Sequence, residues 1–147
     1  MAEFQKELAE VVQRRQLCLT LGARALLVGE RAAEVRSGAA SFQQLPVAER
    51  QEETRRRMDR LDRACDGFVE GWVKVAGWEL APARLGLLVD ELSNALETTR
   101  LLVVLDDLTQ QSLALREVDR VARLINGLCL EMAKSFVLPT ADHSGVQ

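Results

Sequence analysis

Between Met58 and Val75 the apolar side chains Met58, Leu61, Cys65, Phe68, Trp72 and Val75 follow one another at intervals of three, four, three, four and three residues. That rhythm keeps them on one side of an α-helix and fits no strand, whose period is two. It is the seam by which helices pack in a bundle or coiled coil. Composition points the same way: 24 Leu and 18 Ala stand against a single Ile (Ile125), no Tyr and 4% aromatic residues. Leu and Ala favour helix, and the residues that favour sheet are too few for a sheet protein. A strand over Trp72 to Val75 would have nothing to pair with.

The same periodicity extends along the chain. Phe4, Leu8, Val11/Val12, Cys18/Leu19, Ala25/Leu26 and Ala32/Ala33 predict a long first helix ending near Arg36, stopped by Ser37-Gly-Ala-Ala-Ser and a loop from Phe42 to Leu45. Pro46 suits the first position of a second helix, where its missing N–H costs nothing. That helix opens with a charged stretch, Ala48 to Arg57, before its apolar seam. A connection from Gly77 to Pro82 leads to a third helix, from Pro82 to about Asp107, with Leu85, Leu88, Leu92, Ala95/Leu96, Thr99 and Leu102/Val103 inward. Asp106 and Asp107 offer caps for a fourth start, although one kinked continuous helix is the competing reading. Leu115, Val118, Val121/Ala122, Ile125, Leu128/Cys129, Met132 and Phe136 form the fourth stripe. An antiparallel, up-down-up-down four-helix bundle is the simplest way to bury four such stripes. Residues 1–138 are expected to form one domain and 139–147 a frayed tail.

At 147 residues and 48% apolar content, the chain can bury a core and is not a disordered segment. Its longest apolar run, Leu17 to Gly29, is interrupted by Arg24 and is too short to span a membrane. The opening Met1-Ala-Glu-Phe-Gln-Lys-Glu carries acids where an export signal needs a basic and then an apolar region. Three cysteines, Cys18, Cys65 and Cys129, are far apart, and none belongs to a CxxC. A reducing cytoplasm is therefore expected, with the thiols as small core residues. A net charge of −3 gives no reason to expect nucleic acid or membrane as a partner.

Chemistry is sparse. The only histidine, His143, lies in the tail, which removes di-iron, phosphotransfer and zinc arrangements. No phosphate-binding, dinucleotide-binding or nucleophile-elbow motif occurs. The acidic pairs Glu52-Glu53, Asp90-Glu91 and Asp106-Asp107 diverge by about 100° on a helix and read as solvated or capping groups. The chain is expected to be non-enzymatic and to need no cofactor or metal.

Two features suggest contact with other molecules. Taking Gly22 as the centre of the inner face of helix one leaves Leu17, Leu21, Leu27 and Val28 on its flank and rear; Leu87, Leu101, Val104 and Leu105 lie off the stripe of helix three. Leu17, Leu21, Val28, Leu101, Val104 and Leu105 are thus candidates for a self-association surface in a homodimer. Arg56, Arg60 and Arg63 form a basic ridge opposite the helix-two seam, and Trp78 lies in a loop. They are candidates for contact with a partner, though Glu52, Glu53 and Asp59 are placed to pair with Arg56, Arg57 and Arg63 four residues on. The resulting expectation is a protein acting through protein contact, with an adaptor, chaperone-like or regulatory role left open. The alternatives are a nucleic-acid regulator using the ridge, or a binder of an apolar small molecule between helices.

Overall fold

The computed structural model describes residues 2–41, 44–79 and 81–136, apart from the side chains of 39 and 40. These form four helices, α1 (Ala2–Ser41), α2 (Val47–Val75), α3 (Ala83–Val104) and α4 (Leu108–Ser135), with no strand among the described residues. The expected tail, residues 139–147 with His143, and the loop residue Phe42 lie outside the described residues.

Contacts between helices run in opposite directions along the chain. Gly22 meets Asn126, Gly29 meets Asp119 and Arg36 meets Ser112, so α1 and α4 are antiparallel. Arg24 reaches Gly67, and Arg57 reaches Glu34, which sets α1 against α2 in the same sense. The α3–α4 pair is antiparallel through its tight turn, with Arg120 on Glu91 and Gln111 on Leu102. Close packing joins α1 to α4, α1 to α2 and α3 to α4. The helices thus follow the spatial order α2, α1, α4, α3.

The core is built from the stripes on α2, α3 and α4. Met58, Leu61, Cys65, Phe68 and Val75 are buried on α2, and Trp72 is half-buried against them. On α3 the buried side chains are Leu85, Leu88, Leu92, Ala95, Leu96 and Thr99; on α4, Leu115, Val118, Val121, Ala122, Ile125, Cys129 and Met132. On α1 the buried arc is wider and rotated from the expectation. It runs through Cys18, Leu21, Ala25, Val28, Ala32 and Val35, with Leu26 half-buried and Ala33 exposed. Because α1 has close neighbours on two sides, one narrow stripe cannot describe its inner face.

Two glycines of α1 face α4 at close range, and a side chain at Gly29 would have to displace the Asp119 carboxylate. A Cβ on Gly22 would stand 3.1 Å from the Cys129 Cβ, and one on Gly29 would stand 2.8 Å from the Asp119 carboxylate. The Asn126 amide donates to the Gly22 carbonyl at 2.8 Å across this seam. On α2, Gly71 is buried against Leu21 and Arg24, whereas Gly67 has open space where a side chain would be and gives its carbonyl to Arg24.

Two ends differ from the expectation. Ser37-Gly-Ala-Ala-Ser does not stop α1, which continues to Ser41. Gly38 is buried under the Arg57 side chain, and the Ser41 hydroxyl donates to the Ser37 carbonyl; these contacts outweigh a propensity penalty of only about 1 kcal/mol for glycine. Helix three ends at Val104 rather than Asp107, and a true turn replaces the kinked alternative. Asp106 takes a left-handed backbone (φ 55°), while the Asp106 and Asp107 amides donate to the Val103 and Leu102 carbonyls. That is a Schellman ending with aspartate where glycine is usual. Asp107 then caps α4, accepting from the Gln110 amide at 3.0 Å.

These contacts set the response to substitution. Gly127, in the exposed interior of α4 with open space around it, should gain about 0.5–1 kcal/mol as Gly127→Ala, whereas Gly22→Val should lose about 1–3 kcal/mol through overpacking. Urea unfolding followed by circular dichroism will show the opposite signs. Asp106→Ala should be more destabilising than Asp106→Gly, because both lose the 2.5 Å ion pair with Arg50 but only glycine relieves the left-handed backbone.

Candidate functional site

The excess apolar residues of the two helices have different fates. On α1, Leu21 and Val28 are fully buried, and Leu17 is half-buried against the core. Leu21 and Val28 therefore belong to the core and not to an association surface, since α2 covers the flank that a one-sided helix would leave open. The excess on α3 stays outside because α3 packs closely only on α4. Leu101, Val104 and Leu105 are 59%, 79% and 64% exposed, and spacings of three and four keep them on one side of the last turn. Val47, also exposed, lies one turn before Arg50, whose guanidinium holds Asp106 of the α3–α4 turn. The start of α2 and the end of α3 thus lie at the same end of the bundle, each carrying exposed aliphatic side chains.

Trp78 does not present a free ring. Phe136 meets it edge-on with centroids 6.1 Å apart, and the Arg14 guanidinium lies 5.8 Å from its centre. It is half-buried and closes the opposite end of the bundle, so an exposed partner anchor is not what its surroundings provide.

The arginine ridge is divided among nearby carboxylates. Arg56 pairs with Glu53 at 3.2 Å, and Arg60 reaches Glu34 of α1 at 3.4 Å, a carboxylate that also holds Arg31. Arg63 is exposed and lines a recess with Leu27, Arg31, Arg60 and Ala64. Pairing along α2 joins residues three apart, Glu52 with Arg55 and Glu53 with Arg56, instead of the expected four. Arg57 is drawn away from Glu53 because it crosses to α1 and donates to the Glu34 carbonyl at 2.7 Å.

The sequence raises a site between helices only as an alternative, with no residues attached. Where α2 and α3 diverge, a cleft of ≈ 390 Å³ opens above Met58 and Val103. Thr54 and Gln111, both buried, form part of its wall; Arg55, Asp59, Asp62 and Arg100 stand around it. Asp62 and Arg100 bridge the two helices at 3.0 Å. The Gln111 Oε1 is buried and accepts no hydrogen bond. A signal for it exists in the sequence: Thr54 precedes Met58 by four residues and Gln111 precedes Leu115 by four, so each puts a polar group in the phase of an apolar stripe.

Among the described residues, no three His, Cys, Asp or Glu side chains are grouped to hold a metal ion, and no helix is long and apolar enough to cross a membrane. No protein-family model, curated protein or solved structure matches the chain.

The three thiols are free and buried. Burial pushes Cys65 and Cys129 up to about 12 and raises Cys18 as well; Arg100 opposes the shift at Cys65 only in part. A raised thiol value stabilises the fold below the unfolded value near 9 and ceases to do so as pH climbs toward about 12. Stability should therefore fall across that alkaline interval. At pH 8, maleimide labelling of Cys65 and Cys129 should be at least about a hundredfold slower in native than in denatured protein; native rates equal to those of a free thiol would contradict their placement.

Proposed function

We propose that this chain is a non-enzymatic helical bundle that acts through protein–protein contact and pairs with a second copy of itself through Leu101, Val104 and Leu105. The observation that carries the reading is the exposure of those three aliphatic side chains, 59%, 79% and 64%, on one side of one helix end. A two-fold pairing brings such a patch onto its own copy. Val47, at the start of α2, is an exposed aliphatic side chain at the same end of the bundle. A reducing cytoplasmic setting belongs to the same reading, supported by three cysteines that are unpaired and buried. Nucleic acid is not the partner in this reading, since Arg56 and Arg60 already face Glu53 and Glu34.

The energetics favour a weak, reversible dimer. Full burial of an aliphatic side chain is worth about 1.5–3 kcal/mol, and these are already partly covered. Association opposes the gain with at least several kcal/mol of lost rigid-body freedom. A dissociation constant in the micromolar range is expected, with a corresponding free energy of about 8 kcal/mol at 1 μM.

Sedimentation equilibrium at tens of micromolar tests the proposal. The wild-type chain should contain dimer, and Leu101→Gln/Leu105→Gln should be monomeric with its helical circular dichroism retained. Leu21→Gln should behave differently, losing roughly 3 kcal/mol of stability or more because a polar group would replace a fully buried one. A wild-type protein that remains monomeric at these concentrations would sink the self-association reading.

A further inference from the structure

We infer that the cleft between α2 and α3 binds a small aliphatic amine carrying a neutral hydrogen-bond donor at its other end, a linear amino alcohol being the simplest case. Gln111 supplies the first reason. It is 1% exposed, and its Nε2 donates to the Leu102 carbonyl at 3.3 Å. A carbonyl only accepts, so this bond fixes which end of the amide is which and leaves Oε1 as the unpartnered atom. A buried acceptor without a donor bears the desolvation cost of the group with no return. The atom that meets it must be an O–H or N–H, and a neutral one, because a bare ammonium at that depth would be far more costly to desolvate.

The walls define the rest of the molecule. Met58 and Val103 offer apolar surface that suits an aliphatic body, and ≈ 390 Å³ lies within the usual range for small-ligand sites. At the mouth the charges are mostly spoken for. Asp62 is bound by Arg100, Asp106 by Arg50, and Arg55 by Glu52. Asp59 is exposed and has no ion pair among the described residues, so it presents an available carboxylate to a cation. Depth and charge together select a neutral donor inside, an apolar chain over Met58 and Val103, and an ammonium near Asp59. This goes beyond the self-association reading and shares only Val104 with it.

The test is titration of the full chain with 6-amino-1-hexanol, followed through the methyl resonances of Met58 and Val103. Saturable shifts at both are expected, with an affinity about tenfold weaker in Gln111→Leu, the free energy of one hydrogen bond. The melting temperature of Gln111→Leu should stay close to wild type, since loss of the orphan acceptor offsets loss of the Nε2 bond to the Leu102 carbonyl, which keeps the Asp107 amide. Asp59→Asn, an exposed change that leaves the core untouched, should weaken binding several-fold. The matched anion 6-hydroxyhexanoate should bind at least about tenfold more weakly than the amine, because Asp59 would then repel it. Repeating the titration on Leu101→Gln/Leu105→Gln separates binding from self-association. The inference is overturned by the absence of saturable shifts at Met58 and Val103 up to about 10 mM, a range that would still reveal binding of only 3 kcal/mol. Unchanged affinity in both variants, equal binding of the anion, or shifts centred on the Trp78 end would overturn it too.

Discussion

The seam between α1 and α4 governs the rest of the molecule. Gly22 and Gly29 remove the side chains that would hold these helices apart, and the Asn126 amide crosses the gap to the Gly22 carbonyl at 2.8 Å. A hydrogen bond from a side chain to the backbone of a neighbouring helix demands a fixed register as well as closeness. Cys18 and Cys129, fully buried, complete the contact with side chains small enough to permit it. Once α4 occupies one side of α1 and α2 the other, the flank of α1 that carries Leu21 and Val28 is covered, and these two side chains need no outside partner.

That placement leaves α2 and α3 at the two edges of the assembly. They are not a closely packed pair, and long polar side chains span the gap between them: Asp62 with Arg100, and Arg50 with Asp106. The cleft and the apolar end both follow from this geometry. A fourth tight contact would have covered Met58 and Val103 more fully and would have brought Val104 toward α2. Instead, the buried Gln111 lines the cleft, and the last turn of α3 keeps an uncovered side.

Helix number, connection order and most of the core were legible because a seam of period 3.5 is a direct consequence of helix geometry. Leu85, Leu88, Leu92, Leu115, Val118 and Ile125 all lie where their spacing puts them. The reading of α1 failed for a physical reason: a helical wheel has an angle but no knowledge of how many neighbours share it. The same apolar excess therefore meant burial for Leu21 and Val28 and exposure for Leu101, Val104 and Leu105. Sequence alone also left the α3–α4 turn open, because Asp106 reaches its left-handed conformation with help from Arg50, more than fifty residues away. The polar members of two stripes, Thr54 and Gln111, were visible by phase, but their meeting at one cleft depends on the fold.

The surplus of arginine has a structural use within the molecule. Sixteen arginines stand against three lysines. Arg24 crosses from α1 to the Gly67 carbonyl, Arg57 crosses back to the Glu34 carbonyl, and Arg36 reaches Ser112 on α4. Arg50 and Arg100 span the α2–α3 side. Each of these spans the gap with a long side chain, and Arg100 uses two donors of its planar fork, Nε and Nη2, on the Asp62 carboxylate. Ion pairs between exposed groups contribute little each, so these contacts are better understood as setting register than as a source of stability. The struts at Arg100 and Arg50 adjoin the exposed aliphatic end without covering Leu101, Val104 or Leu105. Polar reach fixes how the helices lie beside one another, and the apolar surface that reach leaves uncovered on α3 is where a second molecule has the most to gain.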